Sequence, residues 1–80
     1  MTVHELLADI HVLEYELLDF EKKYCIRSET FHALYAAGVE AENNAWVLDF
    51  GEWASVYQTW LLLQAEYRSA AQLLQNERSI

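Results

Sequence analysis

The chain has 80 residues, of which 54% are hydrophobic and 14% aromatic, a composition that excludes intrinsic disorder and predicts one folded domain. Its net charge of −8, from 13 acidic and 5 basic residues, would repel a phosphate backbone and argues against direct nucleic-acid binding. A lone cysteine, Cys25, leaves no intrachain disulfide, and no Cys/His cluster suits a structural zinc ion.

Oligomerisation is the remaining common way to stabilise a chain this short, so we expect a homodimer. The apolar runs are too short to span a bilayer, and no signal peptide is evident because the first ten residues carry Glu5 and Asp9. Together with a reduced thiol, this favours a cytoplasmic protein without membrane contact.

The first predicted helix covers residues 3–24, where apolar residues recur in alternating steps of three and four. This spacing forms a heptad seam along one helix face. Thr2 is the expected N-cap, with Glu5 as its capping-box partner. Lys22 and Lys23 lie at the negative end of the helix dipole, which stabilises the end of the helix.

A short second helix is predicted over residues 29–37, with Ser28 as its N-cap and Gly38 as the left-handed residue that ends it. The polar stretch that follows, residues 39–48, is interpreted as a connector. Within it, Trp46 is expected to anchor the loop to the core.

The third predicted helix covers residues 50–75, with Asp49 as N-cap and Glu52 completing a capping box. Its middle is apolar on every side, so it needs cover from several directions, and a second subunit is expected to supply part of it. Gln64 in its seam either fixes the register of a dimer from a buried position or reaches solvent. The residues expected in the core or dimer seam are Val56, Trp60, Leu61, Leu62, Leu63, Gln64 and Tyr67.

The expected fold is therefore all-α, with two long antiparallel helices and a short middle helix. At ~1.5 Å per residue the long helices would measure roughly 33 and 39 Å, close enough to pair as a hairpin. Two such hairpins, face to face, would make a dimeric four-helix bundle.

Few residues suggest chemistry. His4 and His11 are seven residues apart, too distant to bind one metal ion without a third element, so no metal or other cofactor is expected. Asp49 and Glu52 resemble half of an acidic metal-binding motif, but their position at the start of the third predicted helix is explained by capping. Arg27 and His32 resemble the Arg-x(4–6)-His pattern of HEPN ribonucleases, which would imply metal-independent RNA cleavage, although the acidic chain suits RNA poorly.

Three segments have a distinctive aromatic spacing: Leu13-Glu14-Tyr15-Glu16 leading to Lys23-Tyr24; Ser28-Glu29-Thr30-Phe31 with Leu34-Tyr35 and Gly38; and Asp49-Phe50-Gly51-Glu52-Trp53-Ala54-Ser55-Val56-Tyr57. Over about residues 5–67 the chain resembles a group of small helical prokaryotic proteins associated with antitoxin-like genes beside a toxin. Such relatives are expected to carry glycine near Cys25, because cysteine costs more in a left-handed turn.

The resemblance implies a protein-binding role and no enzymatic activity. An acidic inhibitor would occupy the basic active-site cleft of a ribonuclease-like toxin, with aromatic anchors supplying affinity. The candidate contacts are Glu40, Glu42, Trp46 and Trp53, with a core position as the alternative for both tryptophans. The alternatives are the HEPN-like ribonuclease using Arg27 and His32, and a purely structural, self-assembling helical protein.

Overall fold

The computed structural model describes residues 2–78, with side chains described as far as Leu74, and this part of the chain forms three helices. They are α1 (Val3–Tyr24), α2 (Ser28–Ala36) and α3 (Asn44–Arg78). The all-α prediction is confirmed. Along the described residues, none of the helices combines the length and apolarity needed to cross a membrane.

The predicted bounds of α1 and its Thr2 N-cap are confirmed. The Thr2 side chain accepts a hydrogen bond of 3.1 Å from the Glu5 backbone N–H, and Lys22 and Lys23 lie in the last turn. Cys25 ends the helix in the left-handed conformation, with φ 59° and ψ 35°. The chain therefore places cysteine where glycine would avoid a steric cost.

The prediction that Ser28 caps α2 with its side chain is wrong. Ser28 is the first residue of the helix, and Arg27, at the N-cap position, makes no side-chain cap bond. Glu21 of α1 caps α2 instead, because its Oε2 accepts bonds from the Ser28 backbone N–H at 3.0 Å and from Ser28 Oγ at 2.7 Å. The start of α2 is thereby tied to α1.

The predicted start of α3 is also wrong, because the helix begins at Asn44 and not at Phe50. Asn43 Oδ1 accepts a hydrogen bond of 2.8 Å from the Ala45 backbone N–H, as an N-cap does. Asp49 lies inside the helix, where its carboxylate binds Lys23 and Tyr24 of α1. Part of the expected connector is thus the first turn of α3.

The helices α1 and α3 pack antiparallel, as expected. Tyr24 contacts Phe50, Phe20 stacks on Trp53, and Glu14 lies beside Trp60. The short α2 crosses one half of this hairpin, with Phe31 stacked on Trp53 at 3.9 Å between ring centroids. We call this cluster the aromatic core; it comprises Phe20, Tyr24, Phe31, Phe50 and Trp53.

The two long helices differ in length more than expected. They have 22 and 35 residues, or roughly 33 and 53 Å at 1.5 Å per residue. The molecule is accordingly elongated, with extents of 55 × 22 × 19 Å. Val3 shares a surface groove with Tyr67 and Ala71, so α1 begins opposite that part of α3 and leaves the end of α3 without a facing helix.

Candidate functional site

A groove of about 300 Å³ opens where α1, α3 and the start of α2 meet. Apolar and aromatic side chains form its walls, and three carboxylates stand around it. We call it the acidic groove. Its apolar lining consists of Leu17, Leu18, Tyr57 and Trp60, and its acidic residues are Glu14, Glu21 and Glu29.

A chain of hydrogen bonds fixes one wall of the acidic groove. The indole Nε1–H of the wholly buried Trp53 donates to Ser28 Oγ at 2.9 Å. Ser28 Oγ in turn donates to Glu21 Oε2 at 2.7 Å. This relay links the aromatic core to the surface carboxylate, so the position of Glu21 is set by the fold.

The charge of the acidic groove is mostly uncompensated. Arg27 is the one basic side chain among its described lining residues, and its Nε lies 3.9 Å from Glu21 Oε1. At that distance, with 76% of the arginine side chain exposed, water screens the pair strongly. Glu14 accepts a hydrogen bond of 3.3 Å from Trp60 Nε1–H, and this neutral donor brings no positive charge into the groove. Three carboxylates therefore face one guanidinium.

Such a groove has the chemistry to receive a cationic side chain. The apolar walls can contact the methylene stem of an arginine or lysine, whose head then reaches the carboxylates. The faces of Tyr57 and Trp60 can add a cation–π interaction.

A second polar cluster joins α1 to α3 at the other side of the aromatic core. Lys23 Nζ lies 2.6 Å from Asp49 Oδ2, and the Tyr24 hydroxyl donates to the same oxygen. The hydrogen bond from Lys23 holds the pKa of Asp49 below its ordinary value, and the same bond raises the pKa of Lys23. Burial is the main reason why the pKa of Tyr24 is raised. Because these groups bind one another, we assign them a structural role.

Of the four partner contacts predicted from the sequence, one is buried in the core and the other three lie outside the acidic groove. Trp53 is wholly buried beneath Phe31, so it is a core residue and cannot anchor a partner. Trp46 lies at the edge of the fold, partly exposed, with its ring edge-on to Tyr24. Glu40 and Glu42 are exposed in the connector, and Glu40 lines a separate shallow groove beside Tyr35.

The acidic groove itself was missed by reasoning from the sequence. Its signal is the pair Glu14 and Glu21, which are seven residues apart and therefore share one face of α1 with Leu17 and Leu18 between them. Glu29 joins them only because Glu21 holds the start of α2. That tertiary contact has no sequence signature.

The residues that hinted at chemistry are not assembled into a site. Within the described residues no group of three His, Cys, Asp or Glu side chains could hold a metal ion. Arg27 points to Glu21, whereas the His32 ring lies 4.9 Å from the Tyr57 ring and beside Gln58. The arrangement therefore adds no support to the ribonuclease hypothesis.

The predicted seam of α3 divides into two groups. Val56, Trp60, Leu63, Gln64 and Tyr67 are half-buried, so Gln64 is neither sealed inside the chain nor free in solvent. Leu61 and Leu62 are exposed. The middle of α3 thus keeps apolar surface that its own chain does not cover.

Comparisons of this chain with protein families, with characterised proteins and with solved structures found no match.

Proposed function

We propose that the chain is a protein-binding module that docks a basic protein at the acidic groove. The observation that carries this proposal is the arrangement of Glu14, Glu21 and Glu29 around the apolar walls formed by Leu17 and Trp60. A purely solubilising charge would not need carboxylates grouped around an aromatic-lined depression.

The groove suits a protein partner because it offers both affinity and steering. Desolvated aromatic and aliphatic walls supply most of the binding energy at protein interfaces. The acidic residues speed the encounter with a basic surface and discourage partners of the wrong charge. The fixed Glu21 carboxylate would lose little conformational entropy on binding, because Ser28 already holds it.

The resemblance to antitoxin-like proteins supports a particular kind of partner. We propose that it is a ribonuclease-like toxin whose basic active-site cleft this chain occupies, and that the chain acts in the cytoplasm as a dimeric four-helix bundle. An arginine or lysine from that cleft would enter the acidic groove.

Co-expression with the proteins encoded on either side of the gene tests the proposal. We expect a basic neighbour to co-purify with this chain and to lose its toxicity to the host. The variant Glu14→Gln/Glu29→Gln should raise the Kd for that neighbour at least about tenfold, because two groove carboxylates are removed. Glu21 is left intact because it caps α2.

The matched control is Glu16→Gln/Glu52→Gln, which removes the same charge from exposed positions that do not line the groove. It should change the Kd by less than about threefold, an effect that added salt abolishes. If no neighbour is basic, the proposed toxin partner is wrong. If both double variants weaken binding equally, the groove is not the docking site.

A further inference from the structure

The second half of α3 is a long part of the molecule that its own chain covers poorly. From Ser55 to Leu74 no side chain is buried, whereas Trp53 and Ala54 just before this stretch are. Leu62 and Leu73 are 67% and 65% exposed, and Leu61 and Leu74 are also open to solvent. We call residues 60–74 the uncovered segment.

The cause lies in the length of α2. This nine-residue helix contacts α3 through Phe31 on Trp53 and His32 on Tyr57 and Gln58. Beyond that point only α1 faces α3, and one neighbouring helix can cover only one side of another.

The accessible surface area of the molecule is larger than that of a compact monomer of the same mass. The accessible area is 6078 Å², against about 5000 Å² for a compact monomer of the same mass. The radius of gyration is 15.6 Å, against about 12 Å for a compact chain of 80 residues. The surplus of about 1000 Å² is close to the ~800 Å² that each partner buries in a standard protein interface.

The charge of the uncovered segment indicates what covers it. Glu66 and Arg68 are its only charged residues and they cancel, so the whole net charge of −8 lies on the rest of the chain. A basic partner finds no electrostatic attraction here. Two copies of this acidic chain, which repel each other elsewhere, can approach along this segment without a like-charge penalty.

We propose that a second copy of the chain packs along the uncovered segment, with Leu62 and Leu73 at the interface. These leucines are eleven residues apart, about three helical turns, and therefore lie on one side of α3. The inference rests on the proposed dimer and adds the surface that forms it. Leu62 and Leu73 do not line the acidic groove, so a second copy and a basic partner could bind at once.

Analytical ultracentrifugation tests the inference on the full chain. At about 100 μM the wild type should sediment near twice the 9.4 kDa of one chain. Leu62→Glu/Leu73→Glu should raise the dimer Kd by about 100-fold or more, because a symmetric interface loses four leucines and gains four carboxylates. Both positions are exposed in the monomer, so circular dichroism should show an unchanged helix content.

The matched control is Leu48→Glu, which places the same side chain at an 82% exposed leucine of α3 outside the segment. This variant should dimerise like the wild type. A wild type that stays at 9.4 kDa would overturn the dimer itself, and the surface with it. A dimer that survives the double substitution, or that Leu48→Glu disrupts equally, would overturn the surface alone.

Discussion

Substitution of Ser28 by alanine should destabilise the fold more than the loss of a serine at the start of a helix usually does. The hydroxyl accepts the Trp53 indole N–H and donates to Glu21, and both Ser28 and Trp53 are buried. Alanine therefore leaves a buried N–H group without a partner, at a cost of about 1–3 kcal/mol. It also removes a hydrogen bond to a charged group, so we expect a total loss of about 2–4 kcal/mol.

This loss is large compared with the free energy of unfolding of such a chain, about 4–12 kcal/mol at 0.05–0.15 kcal/mol per residue. Urea unfolding followed by circular dichroism measures it, at one fixed protein concentration because association also stabilises the folded state. The midpoint of thermal unfolding should fall by about 10–20 °C.

Two further variants calibrate the result. Ser55→Ala changes an exposed serine of α3 and should stay within about 0.5 kcal/mol of the wild type. Glu21→Gln keeps an acceptor oxygen for Ser28 but loses its charge, and should cost about 1 kcal/mol. If Ser28→Ala costs no more than Ser55→Ala, the relay from Trp53 to Glu21 does not stabilise the fold.

Two other predictions concern the C-terminal end of α1. The pKa of Asp49 is held below 3.8, mainly by the hydrogen bond from Lys23, so its carboxylate stabilises the fold above that pH and this contribution is lost as the pH falls through the lowered pKa. Asp49→Asn should therefore be less stable than the wild type at pH 7, and the difference in urea midpoint should shrink as the pH falls through the lowered pKa of Asp49; a difference that stays the same as the pH falls would contradict the assignment. Cys25→Gly should raise the free energy of unfolding by about 1 kcal/mol, because glycine adopts the left-handed conformation without strain. Cys25→Ala keeps that strain and should bring no gain, so a similar gain from both variants would show that the thiol, and not the backbone, matters.

The sequence predicts elements whose signals are local. The bounds of α1 follow from a continuous seam, the Thr2 cap and two lysines at the end, and all of these are confirmed. The start of α3 was misplaced because Asp49 and Glu52 have the spacing of a capping box. Asn43 is the actual cap, and the Asp49 carboxylate instead accepts hydrogen bonds from Lys23 and Tyr24 of α1.

The candidate site was less predictable because it depends on contacts between helices. Ser28 has the residue type of an N-cap, yet it lies within α2 and bridges Trp53 to Glu21. Trp53 could belong to the core or to an interface on sequence grounds alone, and only the stacking with Phe31 decides for the core. The acidic groove forms only when all three helices are in place, because α2 brings Glu29 to the carboxylates of α1 and α3 supplies the aromatic wall.

The position of the aromatic core at one end of the hairpin implies a gradient of local stability along α3. Backbone amides near Trp53 should exchange with solvent only when the whole chain unfolds, whereas those between Leu62 and Leu73 should open by local fraying in a lone subunit. Association would slow the local opening of the second group and, because it also stabilises the folded state, the global exchange of the first. The abundance of the chain would then determine how often this half of α3 opens locally, although the helix is formed in each subunit.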